Sequence, residues 1–110
     1  MATRTLLVIS NVPDRATGLR IAEALVEQQL AACVNVLAPC TSVYRWGAKL
    51  EQAEELPLLI KTREALYPAV ERAIRELHPY ELPEIIAVPI ERGLPEYLDW
   101  VIAGAGAGAA

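Results

Sequence analysis

Two strand-like runs, ACVNVLAPCTSVYRW (32–46) and ELPLLIKT (55–62), follow one another with only the polar GAKLEQAE (47–54) between them. Runs rich in Val, Thr, Tyr, Trp and Leu with no helical segment between them read as an antiparallel hairpin. Segments of helical period flank the pair. On the N-terminal side, TLLVIS (5–10) is a short buried-strand run stopped by Asn11 and Pro13, and Asp14 then caps a helix carrying Leu19, Ala22, Leu25, Val26 and Leu30 on one face. On the C-terminal side, Leu66, Val70, Ala73, Ile74 and Leu77 share a helical face. Pro68 is awkward inside a helix, which places the regular start near Tyr67, and Pro79 disfavours the helical conformation at His78, which ends it. EIIAVPI (84–90) follows as a strand whose Pro89 argues for a sheet edge, and PEYLDWVIAG (95–104) reads as a short closing helix.

The resulting order, β-α-β-β-α-β plus a final helix, is that of an α+β protein on the split βαβ, or ferredoxin-like, plan. An antiparallel sheet of four strands carries two helices on one face, and the second and fourth strands are its edges. With 110 residues the chain makes one domain, spanning 1–103, followed by a flexible Gly/Ala tail at 104–110. Hydrophobic residues make up 54% of the sequence, more than a solvated monomer of this size needs, and the long aromatic edge strand would aggregate if left bare. A second copy of the chain is the simplest cover. Ten basic against fourteen acidic residues, with no basic cluster among aromatics, exclude nucleic acid as a natural partner. No apolar run has the length of a membrane span and the N-terminus lacks a convincing signal-peptide core, so the expected location is the cytoplasm and no membrane partner is expected. Cys33 and Cys40 would lie about 23 Å apart on a continuous extended strand, too far for a disulfide.

The chain's one histidine stands in LHPYELPEIIAVPI (77–90). Pro79 and Pro83 stiffen this corner, so His78, Tyr80, Glu81 and Glu84 are displayed with little loop entropy left to lose. Two roles are open to His78: interaction with the helix C-terminus, or presentation of an imidazole to a ligand.

Taken together, LAACVN, TSVYRW, EELPLLIKT, LHPYELPEI, VPIERG and YLDW resemble, in order and spacing over about residues 5–103, the CutA family, named for divalent-cation tolerance. The resemblance implies an interlocked homotrimer and a likeness to the trimeric PII signal proteins, with clefts between subunits. It implies that Tyr44, Trp46, Lys61, His78, Tyr80 and Glu84 gather at such a cleft, which takes a small molecule or a protein partner. It also implies a link to copper or another divalent cation, with His78 as the metal ligand and Glu84, or a cysteine such as Cys33 from a neighbouring chain, as co-ligand; no organic cofactor is expected. The sequence departs from the family in two places. The hairpin tip runs Trp46-Gly47-Ala48-Lys49, and Ser10 stands where some members carry a thiol. Three Cys and His residues are too few for a self-contained tetrahedral site of soft ligands. The chain is therefore expected to be a divalent-cation tolerance protein that binds rather than catalyses. The alternative is a small acid-base enzyme using His78 and Glu84.

Overall fold

The computed structural model describes residues 4–106. Strand β1 (Thr5–Val12) leads into helix α1 (Arg15–Glu27), then β2 (Cys33–Val36), β3 (Cys40–Trp46), β4 (Lys49–Arg63), a short 3-10 turn (Glu64–Leu66), α2 (Tyr67–Leu77), β5 (Ile85–Pro89) and α3 (Pro95–Gly104). The strands run antiparallel in the order β2-β4-β1-β5, with β3 also paired to β4. This is the ferredoxin-like α+β arrangement.

Local chemistry sets the boundaries. Asp14 is extended, and its Oδ1 accepts a hydrogen bond from the Thr17 N–H at 2.8 Å, satisfying one of the free donors at the start of α1. That bond, ahead of Arg20 nearby, holds the Asp14 carboxyl below its ordinary value of 3.8. A lowered folded-state value means that the carboxylate stabilises the fold above pH 3.8 and loses this contribution as pH falls through the folded value. Asp14→Asn, which keeps an acceptor but cannot titrate, is expected to show a flatter decline of the urea midpoint between about pH 5 and about pH 2 than the parent. Pro68 lies in the first turn of α2, where its missing N–H costs nothing, as its position in the sequence implied. His78 is extended (φ −80, ψ 134), and its N–H closes the helix on the Ile74 carbonyl at 2.8 Å.

The hairpin corrects the sequence reading in two respects. The expected second strand is two strands: β2 pairs with the distal half of β4 (Val36 opposite Leu58), β3 with the proximal half (Cys40 opposite Glu55), and Leu37 to Pro39 interrupt the ladder between them while the chain keeps its direction. Pro39 has no N–H to contribute to a ladder, so the break falls where pairing is weakest. The supposed connector 47–54 is nearly all strand, since β4 begins at Lys49 and only Gly47 and Ala48 form the tip. Gly47 has φ +65, the positive angle a two-residue turn requires at its first central position, and this is how the Trp46-Gly47-Ala48-Lys49 order closes the arm. Cys33 and Cys40 start different strands, and both are free thiols.

Alternation along β1 and β4 sorts the sheet faces. Val8, Val12, Leu58 and Ile60 turn toward α1 and α2 and pack with Ile21, Leu25, Val70 and Ile74 in the main core. The opposite face carries Leu7, Ile9 and Leu59, half-buried, and the exposed Ile86 and Val88 of β5. Arg63, also on that face, donates from Nε to the Ala105 carbonyl at 2.6 Å, and Val101 and Ala105 are buried, so α3 lies over the Arg63 end of it. Ala105 and the Gly106 N–H, which donates to the Gln29 carbonyl, therefore belong to the packed domain. Of the expected tail, residues 107–110 lie outside the described residues.

Candidate functional site

The corner that follows α2 is pinned to β1 through one residue, Asn11. Its main-chain oxygen lies 2.7 Å from His78 Nε2, and its side-chain amide donates to Glu84 Oε1 at 3.2 Å. The other ring nitrogen, Nδ1, is 3.1 Å from the Tyr80 main-chain nitrogen. An N–H can only donate, so Nδ1 is the acceptor and Nε2 carries the proton that goes to Asn11. His78 is thus a buried, neutral imidazole with both nitrogens engaged. The Tyr80 ring packs on it at a centroid distance of 4.7 Å, inclined by 55°.

Tyr80 and Glu84 thereby face the hairpin arm across a groove of about 820 Å³, whose other walls include Tyr44 and Trp46 of β3 and Glu51 and Glu55 of β4. The cross-strand pair Tyr44 and Glu51 sits on the groove side of the arm, as does Glu55. Partial removal from water, reinforced by the Glu55 carboxylate, pushes the Tyr80 phenol above its ordinary range.

Four of the six expected cleft residues, Tyr44, Trp46, Tyr80 and Glu84, share this groove. His78 lies behind it as a support. Lys61 lies elsewhere: it pairs with Cys33 on β2 and Leu7 on β1, and its Nζ donates to Asn35 Oδ1. The expected metal pair does not come together within the chain. Cys33 stands opposite Lys61, whereas Asn11, which holds His78, stands opposite Pro57, a separation of about 13 Å along β4 alone at about 3.3 Å per residue. His78 has no free lone pair to offer, and the described residues contain no group of three or more His, Cys, Asp or Glu side chains placed to hold a metal ion. Within one chain, the described residues do not gather into a copper site.

Sequence reasoning missed Asn11, which it took as a strand stop, and the acidic wall of Glu51 and Glu55. The period-two spacing of Glu51, Ala53 and Glu55 is the signal that would have placed both carboxylates on one strand face. Ser10, at the thiol position of some relatives, is fully buried and its Oγ has no hydrogen-bond partner. Ser10→Ala removes an unsatisfied group and is expected to raise stability by about 1 kcal/mol, measured by urea denaturation; a loss of that size would reveal a bond that Oγ makes.

An antiparallel ferredoxin-like sheet whose polar corner faces a long hairpin arm defines a class of small α+β domains. Within that class the chain belongs to the CutA1 divalent ion tolerance protein family, whose sequence profile matches residues 6–103. It is 45% identical over 95 residues to the divalent-cation tolerance protein CutA of Thermus thermophilus, covering 86% of this chain and 92% of that one. To the mouse protein CutA it is 46% identical over 89 residues, 81% of this chain and 50% of the mouse protein, so it spans about half that relative's length. The solved structure of the Thermus thermophilus divalent cation tolerance protein superimposes with a TM-score of 0.91 at 43% identity, covering 93% of this chain and 99% of the other.

Proposed function

We propose that this chain acts in divalent-cation tolerance as a cytoplasmic homotrimer that binds a small ligand or partner in PII-like clefts between subunits, and that it is not an enzyme. The observation that carries this reading is the groove between arm and corner, where Tyr44, Trp46 and Tyr80 stay partly exposed beside a backbone fixed by two prolines and a histidine. Aromatic rings on a rigid support are the natural anchors of a binding surface, because little motion is lost when they are covered. Unpaired strand edges and the exposed Ile86 and Val88 support self-association. Among the described residues no helix is long and apolar enough to cross a membrane.

Copper enters this reading as the ion whose tolerance is served, not as the occupant of a site built from His78 and Cys33. The acid-base alternative loses its base, because His78 Nδ1 is engaged with the Tyr80 N–H and Glu84 reaches His78 only through Asn11. Native mass spectrometry of untagged protein purified without chelators tests the proposal. A trimer retaining a stoichiometric small molecule is the expected result; a monomer, or a trimer that retains copper and no organic ligand, would overturn it.

A further inference from the structure

We infer that α3 is a lid over one end of the sheet, held shut by a latch just past its C-terminal end that Arg63 closes. The helix is lightly built into the domain. Its start has no side-chain cap, Val101 is its one buried residue, and Leu94, Tyr97 and Trp100 stay exposed. Among the described residues, two hydrogen bonds join it to a distant part of the chain, and both lie beyond its last turn. Arg63 Nε donates to the Ala105 carbonyl at 2.6 Å, and the Gly106 N–H donates to the Gln29 carbonyl at 2.6 Å. A guanidinium suits the negative end of a helix dipole, so the first of these bonds is charge-assisted.

The backbone at the latch is unusual on both sides. Gln29 has φ +60, in the left-handed region that a residue with a side chain rarely enters, and Gly106 has φ +87. In an ordinary left-handed helix cap, the N–H at the position of Gly106 returns to its own helix. Here it crosses to Gln29, which couples the end of α3 to the loop after α1. The fit leaves no room for a side chain at 106, where a Cβ would overlap Arg63 Nη2 and stand 3.1 Å from Leu66 Cδ1. Backbone held in so sparsely populated a region persists only while its surroundings enforce it. Release of Ala105 by Arg63 removes that enforcement. Because α3 contributes nothing to the strand ladder, it then swings away without disturbing β1 or β4, and the sheet end at Thr5 and Arg63 is left bare. Every contact of the latch lies within one chain, so the lid is independent of assembly.

Amide hydrogen exchange of the full chain, comparing residues 98–105 with β1 and β4, tests the lid. In the parent, 98–105 is expected to exchange as one group ahead of both strands, as a locally opening unit does. Arg63→Met keeps the length of the side chain and loses the donor; it is expected to speed that group about tenfold and leave β1 and β4 unchanged. Gly106→Ala drives a methyl group against Arg63 from a position outside every strand and helix, and is expected to have the same effect. Because it leaves β4 untouched, this second variant separates release of the latch from general damage to the sheet. Exchange at 98–105 that Arg63→Met does not change overturns the latch. If both variants speed β1 and β4 by the same factor as α3, the helix opens only when the whole fold does, and the lid is overturned as well.

Discussion

Ile86→Glu is expected to break the proposed trimer into monomers, read by light scattering at micromolar concentration as a threefold fall in mass. Ile86 lies opposite Ile9 in the sheet, on the face that carries Leu7 and Leu59, and is 51% exposed in the single chain. That exposure makes the substitution diagnostic. In a free chain a glutamate there stays solvated and costs no more than about 0.5 kcal/mol. In an assembly that covers this face it becomes a buried, unpaired charge, and an uncompensated charge of that kind costs about 3–5 kcal/mol per subunit. Threefold symmetry repeats the penalty three times. Unchanged mass would exclude the β5 face from the interface, whereas a monomer that keeps its helical and sheet circular dichroism would show that the fold stands without its neighbours.

Elements that depend on local chemistry were legible from the sequence. Asp14 caps α1, Pro68 and Pro79 bracket α2, and the order of apolar runs gives the ferredoxin-like plan. The split of the second strand was less so, because the composition of 32–46 is strand-like throughout and only Pro39 marks the break. Which of the candidate residues lie near one another was partly legible, and how they are held was not. Tyr44, Trp46, Tyr80 and Glu84 were identified as a set, yet the engagement of His78 depends on the Asn11 carbonyl 67 positions away, and main-chain oxygens leave no trace in a sequence. The surroundings of Lys61 within the chain were hidden for a related reason. Its partner Asn35 lies on β2, across a register that only the sheet defines. Ala105 looked like part of a low-complexity tail, although it is fully buried and accepts from Arg63.

His78→Ala is expected to destabilise the fold by about 2–3 kcal/mol and to leave copper affinity unchanged. The ring makes two hydrogen bonds, each worth about 1 kcal/mol net, and its removal leaves the Asn11 carbonyl and the Tyr80 N–H to find water in a space the imidazole filled. Because Asn11 also holds Glu84 and the His78 ring supports Tyr80, the loss reaches the groove: hydrogen exchange at residues 79–84 should accelerate more than that of β1 and β4. Copper affinity provides the contrast. Were His78 a ligand, alanine would abolish a dominant imidazole contact; as a pin with both nitrogens engaged, it contributes none. Urea denaturation and copper titration on the same pair of proteins separate the cases. Reduced stability with equal copper affinity identifies the pin, while equal stability with a hundredfold loss of copper affinity would make the ring a metal ligand and require the corner to open around it.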